Sequence, residues 1–293
     1  MAIGSRSRLN WPLLVWAPFC VIMVVHVRAE GDDAIVLMQT ESPQVQVFNT
    51  NASTLIESKD IALPPPVNVD GARLQWDTQS QTLVAIGAAV FALGNIIHAC
   101  GCYSGSDQCA KSCSKQDGST SQTFEDWDWT ESIVIQTSDY IFFIGGAPQN
   151  NNTHRVVRFD KELKNKGEKK ADTLKPRFRG HAGAEYPNAN EIVVCGGYYE
   201  PSCEGYKAIE DKWTMLKNGL ALYNHHMFKI GDQLFALGGL DRRGITCNVA
   251  EYYNSNVYVY EADEWKTKSS GVKNHVGYMS AAVMPLDVVK GLT

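Results

Sequence analysis

Glu191-Ile-Val-Val-Cys-Gly196-Gly197 places an unbroken apolar run, Ile192 to Cys195, directly before a glycine pair. A run without polar alternation reads as a strand buried on both faces. A glycine pair behind it supplies backbone that can turn sharply or lie against a neighbour where any Cβ would collide. The pattern recurs in Tyr140-Ile-Phe-Phe-Ile-Gly145-Gly146 and in Gln233-Leu-Phe-Ala-Leu-Gly238-Gly239. Weaker copies are Thr82-Leu-Val-Ala-Ile-Gly87-Ala88 and Asp33-Ala-Ile-Val-Leu-Met38-Gln39. Counted from Met38, Gly87, Gly145, Gly196 and Gly238, the steps are 49, 58, 51 and 42 residues. Self-similarity at such a period marks an array of supersecondary units that bury their faces on one another.

Each copy extends in both directions. Upstream lies a second β-type segment, as in His181-Ala-Gly-Ala-Glu-Tyr186, Tyr223-Asn-His-His-Met-Phe228 and Gly277-Tyr-Met-Ser-Ala-Ala-Val283. Downstream lies a third, carrying an aromatic and then tryptophan: Tyr206 precedes Trp213 by seven residues, and Tyr258 precedes Trp265 by seven. The Gly145 copy offers Phe159 but has Lys166 in place of tryptophan, and Trp127 or Trp129 stands nearest that position in the Gly87 copy.

Together Gly145, Gly146, Gly196, Gly197, Tyr206, Trp213, Gly238, Gly239, Tyr258 and Trp265 resemble the motif of kelch-repeat β-propellers. The resemblance covers most of residues 33 to 285 and is strongest in the second half. It implies an all-β propeller of four-stranded blades. Five blades are expected, the C-terminal strand Gly277–Val283 closing onto the N-terminal strands; a tail at Asp287–Gly291 leaves open a truncated sixth and an incomplete propeller.

The chain has 293 residues, 44% hydrophobic and 20% charged, which excludes wholesale disorder and a polytopic membrane protein. Residues 1–29 combine Arg6 and Arg8, an apolar stretch from Trp11 to Val27 and the sequence Val27-Arg28-Ala29. That is the form of a signal peptide cut after Ala29, leaving a propeller domain over 30–293 and no further membrane contact. Removing it takes three arginines and leaves 24 basic against 32 acidic residues, a net charge of −8. Such a surface lacks the basic footprint of a nucleic-acid binder. The sequons at Asn51 and Asn151 fit passage through the secretory pathway as a glycoprotein.

Seven cysteines follow the leader. Cys100, Cys102, Cys109 and Cys113 lie in a Cys-rich stretch, about 95–120, read as an insertion holding two local disulfides rather than a metal. Cys203 and Cys247 each follow a glycine pair and are expected to join neighbouring blades, with Cys195 the free thiol in its apolar run.

Ligand contacts are expected in the connections after the glycine pairs, through Gln149, Asn150, Tyr198, Tyr199, Asp241, Arg242 and Arg243. His181, His225 or His226, and His275 recur at one repeat position and read as packing residues. No cofactor or metal motif is present, and the reading is a secreted module binding a protein or glycan. A propeller enzyme acting on a sugar or small polar metabolite, and a structural extracellular component, are the alternatives.

Overall fold

The computed structural model describes the strands named below together with residues 132–146, 153–163, 166–177, 180–186, 191–241, 252–254 and 256–270. Among them all regular secondary structure is β. In chain order the strands are β1 (Met23–His26), β2 (Asp33–Gln39), β3 (Val45–Asn49), β4 (Thr54–Ser58), β5 (Arg73–Asp77) and β6 (Thr82–Ile86). Next come β7 (Ala89–Leu93), β8 (Ile96–Cys100), β9 (Ser112–Lys115), β10 (Thr120–Thr123), β11 (Ile133–Gln136), β12 (Tyr140–Ile144), β13 (Val156–Asp160) and β14 (Glu168–Lys169). Then follow β15 (Ala182–Glu185), β16 (Glu191–Cys195), β17 (Cys203–Lys207), β18 (Lys212–Met215), β19 (Leu222–Tyr223) and β20 (His226–Ile230). The last are β21 (Gln233–Leu237), β22 (Leu240–Asp241), β23 (Tyr252–Tyr253), β24 (Asn256–Glu261), β25 (Glu264–Ser270) and β26 (Met279–Pro285).

Five four-stranded sheets recur: β7 to β10, β11 to β14, β15 to β18, β20-β21-β24-β25, and β26-β2-β3-β4. Each is an antiparallel succession of neighbours, the topology that short connections favour. The last sheet joins the two ends of the chain, β26 lying antiparallel to β2 from Asp33↔Pro285 to Gln39↔Met279. A three-stranded sheet, β1-β6-β5, includes a strand from the stretch read as leader.

The apolar runs alternate between two cores, which is why they need no polar positions. Ile141 and Phe143 of β12 pack with Val157, Phe159 and the Cys100 and Cys113 of the preceding sheet. Phe142 and Ile144 point the other way, onto Ile192, Val194, Tyr206 and Trp213 of the following sheet. In β16, Val193 and Cys195 turn to Leu234 and Ala236 of β21. Phe235 and Leu237 of that strand then meet Phe48 of β3. Strands β12, β16 and β21 are thus each sandwiched between the two neighbouring sheets, as a period-2 side-chain pattern allows.

The first strands of successive sheets also adjoin one another in a closed order: β26 with β5, β5 with β7, β7 with β11, β11 with β15, β15 with β20, and β20 with β26. Six sheets take part, one more than the repeat count from sequence. The extra sheet arises at the Cys-rich stretch, which supplies β8, β9 and β10 where an insertion was expected. Asn95-Ile-Ile-His-Ala-Cys100-Gly101-Cys102 is a further copy of Asn190-Glu-Ile-Val-Val-Cys195-Gly196-Gly197, with cysteine replacing the second glycine.

One motif residue is corrected. Tyr206 faces Trp213 across β17 and β18, but the residue facing Trp265 is Tyr260, not Tyr258. Ala262 and Asp263, at φ 50° and 63°, make a two-residue turn before Trp265, whereas four residues connect β17 to β18. Two left-handed positions are what the tightest hairpin turn requires, and the shorter turn moves the pairing by two residues. Phe159, Tyr206 and Tyr260 are then equivalent, each opposite the second residue of its central strand, at Ile141, Ile192 and Leu234.

Candidate functional site

The joint between neighbouring repeats decides where the connections go. Gly196 has φ 65°, and a Cβ there would lie 2.1 Å from the Leu222 carbonyl oxygen and 2.7 Å from the His225 ring. The N–H of Gly197 donates to that same carbonyl at 3.1 Å. One repeat earlier, Gly146 N–H donates to the Arg177 carbonyl at 3.1 Å, and His181 lies against Gly145. The buried His181 donates from Nε2 to the Ile144 carbonyl at 3.0 Å. His181 and His225 thus share one place, packed on the glycine pair of the preceding repeat; His226 stacks on Phe228 instead. His275 lies outside the described residues.

Above this joint stands the connection Cys195-Gly-Gly-Tyr-Tyr-Glu-Pro-Ser-Cys203. Its root is closed by a disulfide between Cys195 and Cys203, opposite residues of β16 and β17 with Cα atoms 4.1 Å apart. This corrects the expected Cys203–Cys247 bridge and the free thiol at Cys195. A buried cysteine facing another across a hairpin is within bonding reach before any inter-repeat partner is. Cys100 and Cys113 are paired at the same place in the β8–β9 hairpin, Cα atoms 4.0 Å apart. Cys102, Cys109 and Cys247 lie outside the described residues. Two disulfides fit a protein matured in an oxidising compartment.

A second clamp is polar. Arg177, wholly buried, donates from Nη1 to the carbonyls of Gly196 and Ser202, both at 2.9 Å, and from Nη2 to Ser202 Oγ at 3.1 Å. Its charge is met by Glu204, also wholly buried, with Nη2 to Oε1 at 2.6 Å. Glu204 further accepts the N–H groups of Leu174 and Lys175 at 2.6 and 3.0 Å. A buried pair is retained only where hydrogen bonds replace lost hydration, and this one is tied on both sides. The guanidinium thereby fixes both ends of the tyrosine-bearing connection.

Tyr198 and Tyr199 crown it. Tyr199 is 61% exposed although its backbone sits at φ 65°, a conformation that bulky residues rarely adopt. Its hydroxyl donates to that of Tyr198 at 3.0 Å, and the two rings are inclined at 67°. Tyr198 in turn meets the buried Tyr223 edge to face, centroids 6.0 Å apart. Tyr223 belongs to β19, which pairs with β22 at Leu240–Asp241; β22 pairs with β23 at Tyr252–Tyr253. The connections following two neighbouring glycine pairs therefore converge at Tyr223.

Of the residues named from sequence, Tyr198 and Tyr199 come together here, and Asp241 joins them through its strand. Gln149, Asn150, Arg242, Arg243 and the sequons Asn51 and Asn151 lie outside the described residues. Arg177, Glu204 and Tyr223 were missed. A lysine- and arginine-containing linker reads as solvated, and nothing in its spelling reports a buried guanidinium.

A third cluster keeps the outer strands together. Trp213 Nε1 donates to the Ala171 carbonyl at 2.8 Å, and Tyr206 donates to Asp211 Oδ1 at 2.7 Å. Burial pushes the Tyr206 hydroxyl well above its ordinary value, and the Asp211 hydrogen bond adds to the rise. Burial also pushes the Asp211 carboxyl up. The Ala171 N–H, the Tyr206 hydroxyl and Lys170 outweigh it and hold Asp211 below its ordinary 3.8.

No protein-family model matches the chain, and no curated protein matches it. No group of three or more His, Cys, Asp or Glu able to hold a metal occurs among the described residues.

Proposed function

We propose that the chain is a secreted kelch-type β-propeller, its six mutually adjoining sheets acting as blades, one of them reduced to β5 and β6 once the leader carrying β1 is removed, and that it works as a binding module through the connections that follow its glycine pairs. The observation that carries this reading is the exposed Tyr199, held at a strained positive φ on a loop clamped by a disulfide and a buried arginine. Strain in an exposed aromatic persists only where the surroundings over-determine it, and such positions cluster at ligand sites. Tyrosine offers large contact area with few rotatable bonds, and a pre-fixed loop avoids the ordering cost of association.

The kelch motif supports the blade assignment, and the closed order of first strands supports a count of six. The two disulfides and the leader support secretion. Retention of the secreted protein on panels of immobilised glycans and peptides tests the reading. Binding should fall at least about tenfold in Tyr199→Ala, the loss of one well-placed aromatic anchor. Binding indifferent to that substitution, with melting unchanged, would place the contact surface elsewhere.

A further inference from the structure

We infer that the mature protein takes up an extended strand of a partner protein along β6, an edge that the leader covers before it is cut. This rests on cleavage after Ala29, as proposed above, and adds a second contact surface separate from the tyrosine connection.

Strand order defines the seat. The sheet runs β1-β6-β5, so β6 has β5 on one side and β1 on the other. β1 lies antiparallel along it, with Met23↔Ala85, Val24↔Val84, Val25↔Leu83 and His26↔Thr82. Cleavage after Ala29 removes these four partners from that side of β6, whose backbone donors and acceptors require others. β6 is spelled as a central strand, since Thr82-Leu-Val-Ala-Ile86 contains no charge and no proline. Strands that end a sheet are normally guarded by such residues against pairing with another chain. β14, β18 and β25, outermost in their sheets, carry Glu168 and Lys169, Lys212, and Glu264, Lys266 and Lys268 respectively. β6 is an edge without those guards.

The sister sheets define what fits. The strands in the place of β1 are β13, β17 and β24, and each sets an aromatic opposite the second residue of its central strand: Phe159↔Ile141, Tyr206↔Ile192 and Tyr260↔Leu234. The matching register position in β1 is Val25, opposite Leu83. The leader thus holds the seat with a smaller residue than the fold uses elsewhere, and a strand with an aromatic at that position brings more contact area. Every other described strand already belongs to a sheet of its own. The replacement therefore comes from another polypeptide, as an extended apolar segment whose backbone supplies affinity and whose aromatic supplies specificity.

The test uses the protein recovered from the secretion medium, its N-terminus read by mass spectrometry. A labelled peptide of residues 21–28 is titrated by fluorescence anisotropy, beside the same peptide with Val25→Tyr and one with Val24→Pro and Val25→Pro together. The first two should saturate, the Val25→Tyr peptide about three- to tenfold more tightly, the range for one well-placed aromatic. With excess peptide, the Thr82–Ile86 amides that point away from β5 should exchange at least about tenfold more slowly. The proline peptide should not bind, since it lacks donors for the ladder. Tyr199→Ala should leave peptide binding unchanged, so this surface and the tyrosine connection are judged separately. A secreted chain that still carries residues 23–26 would overturn the inference together with the leader reading. With the N-terminus at Glu30, three results would overturn the inference alone: no saturation, saturation indifferent to the prolines or to Val25→Tyr, or those Thr82–Ile86 amides already protected before peptide is added, whether by the chain itself or by a second copy.

Discussion

Gly196 and Gly231 have nearly the same backbone, φ 65° and 56°, in opposite surroundings. A Cβ on Gly231 meets nothing within 4 Å, while one on Gly196 meets the Leu222 carbonyl at 2.1 Å. Gly231→Ala should therefore cost only the left-handed conformation, about 1 kcal/mol, and Gly196→Ala about 3 kcal/mol or more. Urea unfolding of the two variants separates the collision from the dihedral. Arg177→Met strands the Glu204 carboxylate and should cost about 3–5 kcal/mol. Arg177→Lys should rescue little, since one ammonium cannot reach both backbone carbonyls and Glu204 in the guanidinium's planar array. Asp211 gives a sign in pH. Its folded carboxyl is depressed below 3.8, so its contribution is present above that value and drains as pH falls through the folded one. Asp211→Asn should flatten the acid limb of the stability profile there and leave its slope near neutrality unchanged, as read from unfolding midpoints.

Among elements, the two tryptophans that look alike in sequence are not equivalent. Trp213 is 3% exposed and hydrogen-bonded to Ala171, whereas Trp265 is half-buried at the edge of its cluster. Trp213→Ala should cost about 3–5 kcal/mol and Trp265→Ala distinctly less. Denaturation midpoints would show the order. Removing the hairpin disulfide with Cys195→Ala and Cys203→Ala opens a short loop and should cost about 2–3 kcal/mol. Circular dichroism should stay β-like while binding through Tyr199 weakens. The central strands were legible in the sequence because burial on both faces demands an unbroken apolar run, as in Tyr140–Ile144. The pairing of Cys195 was not, because spacing between repeats does not show which cysteine lies directly across the hairpin. Tyr260 was not legible as the partner of Trp265, because a fixed seven-residue spacing is blind to a turn two residues shorter. Of the site, Tyr198 and Tyr199 could be found as aromatics behind a glycine pair, but Arg177 and Tyr223 are brought there by tertiary packing alone.

In the whole molecule, β2 and β26, far apart in the chain, share one sheet. β26 lies along the whole of β2, and its neighbours β5 and β20 carry the contact to the sheets on either side. The sequence already suggested that pairing, since Asp33–Gln39 reads as a central-type strand and Gly277–Val283 as the type that precedes one. The sheet β7 to β10 was not legible as a repeat because Gly101-Cys102 does not spell a glycine pair. In such an order the last strand is as structural as any central one. Hydrogen exchange on the intact protein tests this most directly. Amides of Asp33–Gln39 and Met279–Pro285 should be protected to the level of Tyr140–Ile144 and open with them in one cooperative step. Exchange of Met279–Pro285 at the rate of an unstructured peptide, with Tyr140–Ile144 still protected, would contradict the pairing of β26 with β2.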